Sequence, residues 1–394
     1  MKILFLSRWY PWPTDNGARQ RVYNLIRALA SCHEVHLISF IEQPIEAAGL
    51  AEMRRWCATV EGVPYRAFRP DGVRALIGFF DARPRSVVDT FNPAFAAAVD
   101  RAGAVDLALA SEIDMAPYAL RANARRRVLE ELEVGIIASA VQRAPGVLAR
   151  ARAGLTWWKL TRYVQELLLS FDACSVVSEA ERARVARLAP SGRMVKVIPN
   201  GVDVAAAGAV TVTPIPKTLI YAGALTYSAN YDAVKYFLDE IYPRLLARHP
   251  DLSFTVTGRT DGVDLRKLPT YPGVRFSGFL DDVRPSVAGA WLSVVPIRIG
   301  GGTRLKILES LALGTPVVST RKGAEGLDLA EGREMLLADE PEAFAAAVER
   351  VLTEPALRDL LATNGRDAAK RYDWGMIGEK LLAMVGQLDA AGGA

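Results

Sequence analysis

At 394 residues and 51% apolar composition, the chain is too long for one ordinary core and calls for two large domains, while no apolar run reaches the eighteen or so residues of a bilayer span. Three cysteines, Cys32, Cys57 and Cys174, in no CxxC spacing exclude a disulfide framework and a thiolate zinc site, and a reducing, cytoplasmic location fits them. The net charge of +4 is uneven: residues 1–205 hold 27 Lys and Arg against 21 Asp and Glu, the remainder 21 against 23.

Residues 2–8 are a near-continuous apolar run closed by Arg8, too short for a signal peptide and fit for a central parallel strand. A proline-rich loop follows at 10–17, then a helix from Gly17 with Val22, Leu25, Ile26 and Leu29 as its buried stripe, then a strand at 34–40. In that βαβ unit Gly17 and Arg19 start a helix beyond a strand's carboxyl end, where they could face a ligand or simply solvent. Further strands are expected at 58–65, 106–111, 127–131, 173–178 and 194–199. Between them, Arg143, Arg150, Arg152, Lys159 and Arg162 interleave with Leu155, Trp157 and Trp158. That pattern suits either an amphipathic helix packing its tryptophans inward or an interfacial helix on anionic lipid. No nucleic-acid motif accompanies the charge.

Residues 204–216 lack helical periodicity and serve as the linker. A second series of five strands is expected at 218–225, 253–258, 274–279, 291–296 and 316–320, followed by a helical tail over 355–388 that could reach back onto the first domain. The domains expected are 1–204, 205–370 and a terminal helix in 371–394: an α/β chain of two Rossmann-like, doubly wound domains facing a central cleft.

The most informative stretch is Arg298 to Gly314. An apolar strand leads into Gly300, Gly301 and Gly302, then Leu305, Leu308, Ala312 and Leu313 recur at helical spacing, and Gly314 stands where a helix stops. Three glycines let backbone amides approach a ligand, and the helix start adds unpaired N–H groups and partial positive charge. Arg304 and Lys306 oppose the helix dipole there, so the loop expects an anion. The alternative is a tight turn with two solvated basic residues. Glu309 could accept hydrogen bonds from ribose hydroxyls or be an exposed helical glutamate. The turns after the first strand of each domain, including Gly223, are not GxGxxG, which disfavours dinucleotide redox chemistry. There is also no Walker loop, metal-ligand cluster or GxSxG elbow, and His33, His36 and His249 suit structural positions.

The run 301–314 with Pro316-Val317-Val318, together with 176–180, 197–203 and 274–279, resembles the GT-B glycosyltransferases of the family 4 type, and the similarity spans residues 3 to about 384. That resemblance implies a retaining, metal-independent glycosyltransferase of hexosyltransferase character that needs no cofactor. The nucleoside diphosphate sugar would be held by the C-terminal domain, and a sugar, lipid-linked or small-molecule acceptor by the N-terminal domain. It implies amides of Thr303, Arg304 and Leu305 at the donor phosphates, with Gly301 and Gly302 in the same loop, Phe279 and Leu280 reading the base, and Gly258 and Arg259 in the turn beside it. The family's paired glutamates fall on Glu309 and Gly301, so the first is absent. The usual Arg and Lys after the first C-domain strand are missing from 223–231, which leaves Arg304, Lys306 or Arg298 to supply charge. The N-domain histidine is replaced near Ser111-Glu112, where Glu112 could orient an acceptor hydroxyl or be solvated.

The expected role is polysaccharide, glycolipid or secondary-metabolite biosynthesis in the cytoplasm, with peripheral contact at the inner face of an anionic membrane as an added option. The alternatives are an inactive GT-B scaffold of an assembly complex and a nucleotide-sugar epimerase.

Overall fold

The computed structural model describes residues 1–65, 67–69, 72–135, 146–300 and 304–390. It divides into two compact units, Met1–Asn200 with Gly375–Ala394, and Gly201–Trp374.

The first unit is built on strands β1 (Lys2–Ser7), β2 (Glu34–Ile41), β3 (Thr59–Pro64), β4 (Val105–Ser111), β5 (Ala124–Glu130), β6 (Ala173–Val176) and β7 (Met194–Val197). They form a parallel sheet in the order β3-β2-β1-β4-β5-β6-β7. Helices on both faces explain why β1 is buried from Ile3 to Ser7 with no alternation. The chain winds outward from β1 through β3, returns to pair β4 beside β1, and then winds the other way. The carboxyl ends of β1 and β4, where Ser7 pairs with Ser111, are therefore a topological switch point.

The helix Gly17–Ala30 is capped by Asn16, whose Oδ1 accepts the Arg19 N–H at 3.0 Å, and it buries the expected Val22, Leu25, Ile26 and Leu29. Arg21 is buried as well. Its guanidinium forms an ion pair with the buried Glu130 and donates to the carbonyls of Ile198 (2.9 Å) and Pro199 (3.1 Å) and to Asn200 Oδ1 (2.9 Å). The Ser111 and Ser175 hydroxyls donate to the same carboxylate at 3.2 and 3.3 Å. One side chain thus ties the first helix to the ends of β4, β5, β6 and β7. The helix Trp374–Ala390 belongs to this unit from Gly375 on, burying Ile377, Leu381, Met384, Val385 and Leu388. It fits closely: a Cβ on Gly378 would lie 2.7 Å from Ala28 Cβ.

The second unit carries β8 (Ile215–Ala222), β9 (Ser253–Thr257), β10 (Val274–Gly278), β11 (Ala290–Val295), β12 (Val317–Ser319) and β13 (Leu336–Leu337) in the parallel order β10-β9-β8-β11-β12-β13. This is the doubly wound order 3-2-1-4-5-6, with its switch point between β8 and β11. Phe237, Tyr242, Phe254 and Phe344 centre its core.

Three details differ from the sequence reading. Residues 204–216 are not all linker: Val204–Gly208 is a short helix capped by Asp203, and β8 starts at Ile215. The sheet has six strands because β13, two residues long, has no periodicity to detect. The tail is two helices, Pro355–Lys370 and Trp374–Ala390, interrupted where Val202 N–H donates to Tyr372 O (2.8 Å) and Trp374 N–H to Val202 O (3.2 Å).

Arg21→Ala leaves Glu130 buried without its counter-charge and is expected to destabilise the first unit by about 3–5 kcal/mol in chemical denaturation. Replacing both partners by apolar residues of similar volume is expected to recover part of that loss.

Candidate functional site

At the switch point of the second unit, the turn 223–227 after β8 adjoins the segment that follows β11. Lys306, in the first turn of the helix Leu305–Ala312, donates from Nζ to Tyr221 Oη at 2.7 Å and to Asn230 Oδ1 at 2.9 Å, and sits 4.0 Å from the Tyr221 ring centroid. Tyr221 Oη donates to the same Asn230 oxygen (2.7 Å), and Asn230 Nδ2 donates to Ala224 O (2.8 Å). A Cβ on Gly223 would come 2.6 Å from Lys306 Nζ, so the glycine lets the backbone lie directly over the ammonium. Arg304 caps the same helix, is buried, and donates from Nη2 to Gly300 O at 3.1 Å. Gly300 has φ +92°, and a Cβ there would press on Ala229 Cβ and Tyr227 Oη.

Burial, reinforced by the Arg304 charge and opposed by Glu309, pushes the Lys306 ammonium down to about 7. Burial also raises the Tyr221 hydroxyl despite Arg304. Two cations two residues apart at a helix start favour a multiply charged anion beside them.

The neighbouring strand ends complete this edge. Leu225 N–H donates to Arg259 O (2.9 Å) and Gly258 N–H to Gly278 O (2.9 Å). Gly258 has φ +114°, and a Cβ there would lie 2.6 Å from Ala224 N. The Arg259 guanidinium stands 4.9 Å from the half-exposed Phe279 ring, with Leu280 half-buried next to it. A planar ring could stack on that aromatic face.

Gly223, Gly258, Arg259, Phe279, Leu280, Arg304, Leu305 and Lys306 thus lie on consecutive strand ends and their turns. Glu309, half-buried, is close enough to act on Lys306 electrostatically. Gly301, Gly302 and Thr303 lie outside the described residues. Arg298, the third cation offered by the sequence, is instead held by Asp232 at 2.8 Å and stacked 4.0 Å from the Tyr236 ring.

At the switch point of the first unit, Glu112 follows β4 with φ 71° and ψ 157°, a region that essentially only glycine visits without strain. Its N–H donates to Glu130 O at 2.9 Å. Burial, helped by Asp114 and opposed by Arg8, pushes the Glu112 carboxyl up to about 7. Glu131, also at positive φ (59°), is pushed up to about 8 by burial despite Arg21. The buried Arg8 lies 3.2 Å over the Tyr65 ring and 3.4 Å from Glu42. Glu112 is therefore a half-buried, strained carboxyl, not the solvated strand-end glutamate that the sequence left open. Gly17 begins its helix, and Arg19 is paired with Asp15 at 3.0 Å.

The sequence reading missed Tyr221, Asn230 and Glu131. The Glu130-Glu131 doublet directly after the buried Val128-Leu129 was a usable signal, whereas nothing local ties Tyr221 and Asn230 to a lysine more than seventy residues away.

Comparison with known proteins bears on both units. The family described as Glycosyltransferase Family 4 matches residues 15–206, and the one described as Glycosyl transferases group 1 matches residues 216–354. The chain belongs to the group 1, family 4 glycosyltransferases. Phosphatidyl-myo-inositol mannosyltransferase of Mycolicibacterium smegmatis is 29% identical over 205 residues, 50% of this chain and 52% of that protein. The lipopolysaccharide core biosynthesis glycosyltransferase LpsE of Rhizobium meliloti is 36% identical over 132 residues, 31% of this chain and 38% of that protein. The chain thus spans about half the length, or less, of these curated relatives. Among solved structures, sucrose-phosphate synthase of Thermosynechococcus elongatus superposes with a TM-score of 0.71 at 19% identity, covering 99% of this chain and 100% of that one. HepE of Anabaena in complex with UDP gives 0.68 at 16%, covering 98% and 100%. These likenesses establish the GT-B glycosyltransferase fold.

Lys306 also makes the stability of the glycosyltransferase's second unit depend on pH. Its folded value of about 7 lies below its unfolded value of roughly 10.4, so between these limits the unfolded chain binds the extra proton and stability rises with pH. Denaturation across that window is expected to show the rise in the native chain and its loss in Lys306→Met.

Proposed function

We propose that this glycosyltransferase moves a hexose-like sugar from a nucleoside diphosphate sugar to an acceptor hydroxyl, with retention at the anomeric carbon and without a required metal. The observation that carries the reading is the Lys306–Arg304 pair packed under the Gly223 turn at the second switch point. A diphosphate there offsets the mutual repulsion of the two cations and restores the charge that burial takes from Lys306. Glu309 accepts from the ribose hydroxyls, Phe279, Leu280, Gly258 and Arg259 border the base, and the amides of Arg304 and Leu305 at the helix start face the phosphates. Gly301 stands where the family resemblance expects a carboxylate reading the sugar, so the donor sugar is not inherited from relatives.

In the transfer, the acceptor oxygen bonds to the anomeric carbon on the face from which the diphosphate departs, and its proton passes to a leaving phosphate oxygen. The chain supplies position and charge, the two terms that matter most when no protein nucleophile takes part. Glu112, with Glu131 beside it in the same acidic group, orients the acceptor hydroxyl on the first unit. The relatives named for phosphatidyl-myo-inositol and lipopolysaccharide core support a glycolipid or polysaccharide product, and the neighbour in complex with UDP supports a nucleotide-linked donor. We place the transfer in the cytoplasm as part of the same proposal.

Incubation with a panel of nucleoside diphosphate sugars and a lipid or sugar acceptor is expected to release nucleotide. Binding without turnover, or an altered sugar without nucleotide release, overturns the transferase reading in favour of a scaffold or an epimerase. Arg304→Ala is expected to lower turnover by at least about tenfold with the fold intact, the loss of one charge-assisted contact; wild-type kinetics would remove the phosphate assignment. Because binding draws Lys306 back to its charged form, nucleoside diphosphate affinity is expected to fall as pH rises above about 7, with proton uptake seen by calorimetry in buffers of different ionisation enthalpy.

A further inference from the structure

The first unit exposes more apolar surface than its fold requires, and in one region. The helix Gly146–Ser170 buries Leu160, Tyr163, Val164, Leu167 and Leu168 against the core. At 100° per residue, Leu148, Leu155 and Trp158 fall roughly on the opposite face, where a surface helix carries polar groups. They are exposed, Leu148 by 87% and Trp158 by 54%. The expectation that both tryptophans pack inward therefore holds only for Trp157, which rests partly buried on the core.

A second stripe adjoins the first. The short helix Val73–Ile77 and the residues after it expose Val73, Leu76, Ile77 (58%) and Phe80 (95%) at helical spacing. This stripe is not a loose end. The buried Lys159 of the long helix donates from Nζ to the carbonyls of Gly78 (3.1 Å), Phe79 (2.6 Å) and Asp81 (2.8 Å), fixing the second stripe to the first.

Charge decides what covers this surface. Leaving aside the buried Lys159, the described side chains of residues 73–85 and 146–170 include Arg83, Arg85, Arg150, Arg152 and Arg162 against Asp81 and Glu166, a surplus of three, and the two acids are taken by Arg83 and Arg162. Arg152 and Arg162 are exposed beside the apolar stripe, and Arg150 is exposed elsewhere on the same helix. A second copy of the chain, meeting the first through the same patch, would bring like charge against like. A nucleic acid would have phosphates for the arginines but nothing for Phe80 or Leu148. An anionic lipid surface satisfies both: acyl chains take the apolar side chains, and headgroups take the cations.

We propose that this surface of the first unit docks the protein on anionic membranes. The inference goes beyond the transfer reaction and does not rest on it, so loss of turnover and loss of docking are separable. The test is co-flotation of the full chain with phosphatidylcholine vesicles with and without about one-third phosphatidylglycerol. The expected result is flotation with the anionic vesicles, falling at least about tenfold in the neutral ones and in high salt. Ile77→Asp/Phe80→Asp, Leu155→Asp/Trp158→Asp and Arg150→Glu/Arg152→Glu are each expected to lose binding by a similar factor. Because these side chains are exposed, their thermal transitions should match that of the native chain, and they should keep affinity for a nucleoside diphosphate if the donor assignment holds. No flotation of the native chain, or flotation unchanged in all three variants, overturns the proposal. So does light scattering that shows a dimer dissolved by the same substitutions, which would make the surface a self-association face.

Discussion

A parallel sheet wound outward in both directions from its first strand leaves a crevice at the carboxyl ends of its two central strands, because no crossover passes over that point. The chain meets this constraint twice, at β1/β4 and at β8/β11. The polar burial, strain and perturbed ionisation described above gather at these two points. Strand centres need only apolar bulk, and Val, Ile, Leu and Phe supply it. Strand ends must turn the backbone toward a crevice, and there the chain uses Gly223, Gly258 and Gly300, or accepts positive φ at Glu112 and Glu131.

The two crevices are polarised in opposite senses. The first presents carboxyls that burial shifts toward their protonated form; the second presents a lysine that burial shifts toward its neutral form. Desolvation works against whichever form carries charge, so acid and base converge on neutrality. Arg21 and Glu130 show the contrasting outcome within the same sheet. There both charges are buried, but each is matched by the other and by serines, carbonyls and an asparagine, and the result is a tie between elements, not a receptive site.

Much of this was legible in the sequence. Continuous apolar strands alternating with amphipathic helices required two doubly wound sheets, and Arg304 and Lys306 ahead of an amphipathic run marked a basic helix start. Features made by two distant segments were not legible. Lys306 finds Tyr221 and Asn230 only because β8 and β11 are neighbours, and Arg298, equally basic on paper, is taken by Asp232. Positive φ at a glutamate has no local signature either. The two-residue β13 and the break between the last two helices are set by pairing with remote backbone, β12 in one case and Val202 in the other.

The helix that ends the described chain has one more consequence. Since Gly375 and the residues after it belong with Met1–Asn200, the second unit is, in topological terms, an insertion into the first. During synthesis Gly201–Trp374 can reach its full complement of strands and close its core while the first unit still lacks the helix whose Gly378 fits against Ala28. The order of completion is thus the reverse of the order of translation: the half made first is finished last.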